Sequence, residues 1–192
     1  MPVKLPPFIL ASASPRRAEL LKQLKLEFDV VPSDAKEVFD EHLSPLELCQ
    51  LNAHHKARAV AKKIPDALVM GADTLVFLDL KIFGKPADVA EAKSMLLQLQ
   101  GRTHQVVTGV SLIQLRAHRE RIFAISTDVT FRPLTPGQVD EYLYGINPLD
   151  KAGAYAIQDH GELIVAEISG SFSNVVGLPI EKLQEELAAW PE

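Results

Sequence analysis

Short apolar runs alternate along this chain with longer stretches whose apolar positions recur every three or four residues. Phe8-Ile9-Leu10-Ala11 predicts a short buried strand, and Pro15 opens a helix through Leu20, Leu21 and Leu24. Residues 28–31 predict a second short strand. Ser44-Pro45-Leu46-Glu47 has the form of a capping box with proline at the first helical position, so a long helix is expected to about Lys63. Residues 67–72 and 74–78 predict two strand-like runs broken by Asp73. Asp88 and Glu91 open another helix, closed by Gly101. Residues 105–115 and 121–131 are rich in Val, Ile and Thr and are separated by a charged turn, which predicts a long hairpin. Thr135-Pro136-Gly137-Gln138 caps a short helix ending at Gly145, and residues 162–168 alternate as a strand. Pro179 starts a terminal helix with Ile180, Leu183, Leu187 and Trp190 on one side. Strands and helices interleave, but the hairpin forbids a purely parallel sheet. The expected fold is α/β with a mixed sheet. With no repeat, low-complexity tract or linker in view, residues 1–192 read as a single domain.

Composition narrows the choice of partner. The 192 residues carry 20 Lys plus Arg against 25 Asp plus Glu, a formal charge of −5. That balance argues against a nucleic-acid coat, which needs a basic surface, but not against a small anion held by a few local cations. Hydrophobic content of 47% fits a chain with a substantial core. A lone Cys49 excludes a disulfide framework and a cysteine-based zinc site, and fits a reducing compartment. The opening residues hold too short an apolar run for a signal-peptide core, and no run approaches a membrane span. The expectation is a soluble, cytoplasmic protein with no membrane partner.

Three constellations could carry chemistry. Ser12-Ala13-Ser14-Pro15-Arg16-Arg17 lies between the first strand and the first helix. Small residues there admit a ligand to the backbone, and a helix start offers free N–H groups. Two arginines in a first turn oppose the helix dipole unless an anion reverses the sign. The ordinary alternative is a Ser-Pro cap followed by solvated arginines. Asp73, set among apolar residues, would cost several kcal/mol if buried and unpaired. A metal, a cationic partner or an exposed turn would each account for it. Lys56 on the long helix, Lys85 before Pro86 and the pair Asp150-Lys151 are scattered polar groups with ordinary surface readings, such as snorkelling of the Lys56 stem. His54 and His55 are adjacent and cannot chelate as an i,i+4 pair would, and no Walker A loop, GxGxxG or GxSxG is present.

Taken in order, several segments carry a more specific signal. They are Ile9-Leu-Ala-Ser-Ala-Ser-Pro-Arg-Arg17, Lys56-Ala-Arg, Gly71-Ala-Asp-Thr74, Lys85-Pro86, Gly101-Arg-Thr-His-Gln-Val-Val-Thr-Gly109, Asp150-Lys-Ala-Gly-Ala-Tyr-Ala-Ile-Gln158 and Gly170-Ser-Phe-Ser-Asn-Val-Val-Gly-Leu-Pro179. Together they cover nearly the whole chain, which resembles the Maf family of nucleoside triphosphate pyrophosphatases. The resemblance implies a mixed sheet flanked by helices in an elongated, two-lobed structure with a central cleft, Maf/inosine triphosphatase-like. It implies cleavage of a nucleoside triphosphate to the monophosphate and pyrophosphate with a divalent cation, Mg²⁺ or Mn²⁺, and it admits a homodimer. Position by position, Asp73 matches the proton acceptor, and Ser12, Arg17, Lys56 and Lys85 match phosphate-site residues. Glu37 matches an acidic active-site residue, so Glu37 and Asp73 are the expected metal ligands. Arg16, Thr74 and Gln158 fall at the positions marking the branch selective for dTTP and UTP. Lys36 stands before Glu37 where many members have a second acid, and Asp159-His160 follow Gln158 where glycine is usual. The competing reading is a nucleotide-binding regulator of cell division that acts through a protein partner without useful hydrolysis.

Overall fold

A computed structural model of the chain describes residues 6–79 and 81–191. The expectation about the opening residues falls largely outside them. In chain order the elements are β1 (Phe8–Leu10), α1 (Pro15–Lys22), β2 (Phe28–Val30), α2 (Pro45–Ala61), β3 (Leu68–Leu78), β4 (Lys81–Phe83), α3 (Val89–Leu99) and β5 (Thr103–Gln114). They continue as β6 (Arg119–Phe131), α4 (Pro136–Tyr144), α5 (Gly161–Ile164), β7 (Val165–Ser169), α6 (Phe172–Val176) and α7 (Ile180–Ala188). The expected α/β class and mixed sheet are both present. The strand order is β2-β1-β3-β5-β6-β7, with β4 on β3. β1 runs parallel to β2 and β3, whereas β4 is antiparallel to β3 and β7 to β6. No described helix is long and apolar enough to cross a membrane.

The sequence signals for helix starts hold in detail. Ser44 and Thr135 each form a reciprocal capping box, with Glu47 and Gln138 respectively, and Asp88 accepts from the Glu91 amide. Two expectations need correction. Residues 67–72 and 74–78 form one strand, not two, because β3 continues through Asp73. The buried carboxylate finds partners on a neighbouring helix, so nothing obliges the strand to break there. Residues 162–168 are not all strand: α5 takes Gly161–Ile164 and β7 begins only at Val165. His160 adopts a left-handed conformation (φ 56) that starts a turn, and Ile164 is buried in the adjoining core. An alternating pattern over so short a window cannot distinguish these outcomes.

The described chain divides into two compact units. The first comprises residues up to Asp73, Thr108–Ile125 and the segment from Gly177, and the second Thr74–Val107 and Ser126–Val176. The first unit's core includes Ile9, Ala11, Ala57, Val60, Val69 and Ile113. Within it, α2 lies backbone-close against the sheet. A Cβ on Gly71 of β3 would collide with the Ala53 carbonyl oxygen and with the Ala57 nitrogen at 2.6 Å, and one on Gly109 of β5 would collide with the Cys49 carbonyl. Only glycine fits at either point.

The second unit's core is rich in aromatic rings, with Phe83, Leu96, Phe131, Tyr142 and Tyr155 among its members. His104 sits inside it, edge-on to Phe131 and Tyr155, with Nε2 2.7 Å from the Tyr155 hydroxyl. Its Nδ1 is buried and has no hydrogen-bond partner among the described residues. A proton there would place an uncompensated charge in the core, and burial pushes the imidazole pKa down from 6.5 to about 4. The unfolded chain takes up that proton below about pH 6.5, whereas the folded chain resists it to about pH 4. His104 therefore favours folding fully above the unfolded value and loses that contribution as pH falls through the window. Lowering the pH from about 7 to about 5 should cost roughly 2 kcal/mol through this residue. Urea unfolding of His104→Gln across that range should show a pH slope shallower by this amount. An unchanged slope would assign the acid sensitivity elsewhere.

Candidate active site

The close approach at Gly71 decides what faces Asp73. Alternate residues of a strand share a face, so Asp73 projects on the same side of β3 as Gly71, toward α2. On α2, Ala53 and Ala57 meet Gly71, and one position earlier in each turn stand Asn52 and Lys56. These two are four residues apart and so share a helix face. The Lys56 ammonium lies 2.6 Å from Asp73 Oδ1 and 2.7 Å from Glu37 Oε1. Asn52 Nδ2 donates to Asp73 Oδ2 at 3.3 Å. Asp73 is 4% exposed. Of the three explanations open for Asp73, a cationic partner is therefore met and an exposed turn is excluded. Lys56 does not snorkel to solvent; its ammonium joins two acids.

Asn52 is a site residue that the sequence analysis passed over. Besides bonding Asp73, it accepts from the Val38 amide at 2.7 Å and donates to the Val38 carbonyl at 3.1 Å. The available signal was its i,i+4 relation to Lys56, which is visible in the sequence but means little before the helix is placed against β3.

Ser12 and Arg17 form the other wall of this cluster in the first unit. Ser12 is buried, and its Oγ accepts from the Ser14 amide and from an Arg17 guanidinium nitrogen, both at 3.2 Å. Arg17 Nε also donates to the Gly177 carbonyl at 2.8 Å. Burial lowers the Arg17 pKa, and Asp73 pulls it back up, which places the guanidinium within electrostatic reach of the acid. Arg16 opposes its neighbour by like charge. The structure thus brings Ser12, Arg16, Arg17, Glu37, Lys56 and Asp73 into one unit.

Thr74, Lys85 and Gln158 belong to the second unit. Lys85 is exposed in the coil after β4, where the Gly84 carbonyl accepts from the Gly153 amide at 3.0 Å. Gln158 is exposed in a turn. Upstream of that turn, the Tyr142 hydroxyl both donates to the Ala156 carbonyl at 3.0 Å and accepts from its amide at 3.1 Å. Lys151 is buried, with Nζ 2.8 Å from both Asp150 Oδ1 and the Asn147 carbonyl, so the pair in this loop is a structural tie.

The donor chemistry fits a hard divalent cation. Asp73 and Glu37 offer two carboxylates that already share one cationic centre, the Lys56 ammonium. Among the described residues no cluster of three or more His, Cys, Asp or Glu stands ready to cage an ion. Mg²⁺ in phosphate-processing sites is commonly held by one or two carboxylates plus the substrate's own oxygens, and this pair meets that requirement.

Comparison with known proteins gives concordant matches. The family model described as Maf-like protein matches residues 7–190. A dTTP/UTP pyrophosphatase of Moorella thermoacetica is 50% identical over 180 residues, covering 94% of this chain and 93% of that protein. Proteins of the same description from Akkermansia muciniphila and Carboxydothermus hydrogenoformans are 44% and 46% identical, over 94% of this chain and 95% and 97% of theirs. Among solved structures, the Staphylococcus aureus Ham1 protein superposes with a TM-score of 0.57 at 18% identity, covering 95% of this chain and 98% of that one. That likeness concerns the fold alone.

The geometry makes a prediction about the glycine seat. Gly71→Ala forces backbone against backbone and should destabilise the protein by about 3 kcal/mol, lowering Tm by about 5–10 °C. Thermal unfolding followed by circular dichroism would measure it, and an unchanged Tm would mean that α2 is not held by this contact.

Proposed function

The chain belongs to the Maf family, and from that premise we propose that it hydrolyses dTTP and UTP to the nucleoside monophosphate and pyrophosphate. The observation that carries the reading is the buried Asp73 carboxylate held between Lys56 and Asn52, with Arg17 close by. The high identity to relatives described as dTTP/UTP pyrophosphatases, over nearly their full length, supports the same substrates here. We read residues 1–192 as one Maf-like domain working in the cytoplasm, where the triphosphate pool is found and a lone Cys49 needs no oxidising compartment.

In this reaction water adds to phosphorus, the α–β anhydride bond breaks, and pyrophosphate leaves. Phosphoryl chemistry of this kind depends on positioning and charge stabilisation more than on covalent catalysis. Asp73 orients the attacking water and accepts its proton, with its carboxylate already fixed by two donors. Ser12, Arg17, Lys56 and Lys85 hold phosphate oxygens, and the guanidinium of Arg17 is pre-set by its bonds to Ser12 and Gly177. Glu37 and Asp73 would hold the Mg²⁺ or Mn²⁺, which when bound draws charge from the phosphate oxygens. Gln158 reads the base: its amide can donate to a ring carbonyl and accept from the N3–H of uracil or thymine. Arg16 and Thr74 accompany it as specificity residues.

A nucleotide panel tests the activity directly. With Mg²⁺ or Mn²⁺, pyrophosphate release should favour dTTP and UTP over CTP and purine triphosphates by at least about 10-fold in kcat/KM. Asp73→Asn should lower kcat by at least about 100-fold while calorimetry still detects triphosphate binding. Tight binding without turnover by the unmodified protein, under either metal, would instead favour the regulator that hydrolyses nothing.

Base choice gives a second test. Cytosine presents an acceptor at N3 and an amine at C4, reversing both of the partners that Gln158 would meet. Gln158→Leu should reduce kcat/KM for dTTP by about 10-fold and narrow its lead over CTP, the scale expected for losing one or two hydrogen bonds to the base. A variant with the original preference would remove Gln158 from base reading.

A further inference from the structure

Nothing regular holds the coil from 31 to 40, which carries Glu37, yet one buried side chain grips it beside that acid. Asn52 is 2% exposed and meets both backbone groups of Val38, as an adjoining strand would. The same amide nitrogen reaches Asp73 Oδ2. The orientation of the amide follows from its surroundings: flipped, its oxygen would face the Val38 carbonyl and the Asp73 carboxylate together. Lys56, one turn further along α2, links Glu37 and Asp73 through charge. Lys56 hydrogen-bonds Asp73 through Oδ1, and the Glu37 side chain that it also meets is 56% exposed. Asn52 adds a neutral donor at the other carboxylate oxygen and two bonds to the backbone beside Glu37.

We infer that Asn52 is a positioning residue, which fixes the rotation of the Asp73 carboxylate and locks the Glu37–Val38 backbone to it as one assembly. The inference deepens the proposed hydrolysis and rests on Asp73 being the working acid. It assigns the coil a defined role: Glu37 is delivered to Asp73 by a neutral clamp as well as by Lys56. The neutral half does not weaken with salt, whereas the half-exposed Lys56–Glu37 bond does.

Two substitutions separate this role from general stability. Asn52→Leu keeps the volume and removes all three hydrogen bonds. Asn52→Asp keeps an acceptor for the Val38 amide but removes the donor to Asp73. Amide exchange by NMR on the metal-free protein should show Val38 exchanging at least about 10-fold faster in the leucine variant, with β3 amides nearly unchanged. With dTTP, kcat should fall at least about 10-fold in both variants while KM moves by less than about 3-fold. In Asn52→Asp the Val38 amide should stay slow although kcat is lost. Unaltered Val38 exchange in Asn52→Leu, unaltered kcat in either variant, or acceleration spread evenly over β3 and α2 would overturn the inference. Failure of the unmodified chain to cleave dTTP would instead count against the proposed activity, and the exchange measurement, which needs no substrate, tells the two apart.

Discussion

The seating of one helix on two glycines governs much of the site in the first unit. With Gly71 and Gly109 beneath it, α2 lies so close to the sheet that its own backbone is the contact surface. Cys49, Ala53 and Ala57 line that contact, and the neighbouring row, Asn52 and Lys56, is thereby brought level with Asp73. A side chain at either glycine would lift the helix away, and the short bonds to Asp73 could not survive the displacement. The sheet's packing and the acid's environment are thus settled by the same contact.

That environment is arranged around charge. A carboxylate as enclosed as Asp73 is tolerable only with a cation and a donor at hand, and it has both. Lys56 is shared with Glu37, so the two acids outnumber the ammonium between them, and Arg17 balances the excess from the side of α1. Two carboxylates set about one ammonium also suit a divalent cation, which takes oxygen ligands of this kind. The clamp on Val38 has a counterpart in the second unit, where the Tyr142 hydroxyl grips both backbone groups of Ala156. In each unit an irregular segment carrying a candidate functional side chain is held by a buried polar group, so its place does not depend on regular secondary structure.

Much of this was legible in the sequence, and the physical reason differs from element to element. Capping boxes at Ser44 and Thr135 are local hydrogen-bond patterns, so they read correctly without tertiary information. The break expected at Asp73 failed because the sequence shows a charge among apolar residues but not the lysine and asparagine that neutralise its cost. The helix at Gly161–Ile164 was hidden by a window too short for its periodicity to show. Ser12, Arg17, Lys56 and Asp73 stand out by residue type and placement, take their expected roles from a family resemblance, and lie in one unit of the structure. Asn52 was missed because a polar residue on a helix is ordinarily a solvated one. Its meaning comes from Val38, fourteen residues back, and Asp73, twenty-one ahead.

The bond between Arg17 and the Gly177 carbonyl joins residues 160 positions apart, and the unit that contains both is assembled from three separate stretches of chain. The second unit's last stretch ends at Val176, one residue before that carbonyl. During synthesis, then, the whole of the second unit has been polymerised before the first can close around its guanidinium. A chain that stops before Gly177 carries Ser12, Lys56 and Asp73 but lacks one of the acceptors that hold the Arg17 guanidinium. The bond from Arg17 to the Gly177 carbonyl is therefore among the later contacts of the first unit to become possible as the chain is made.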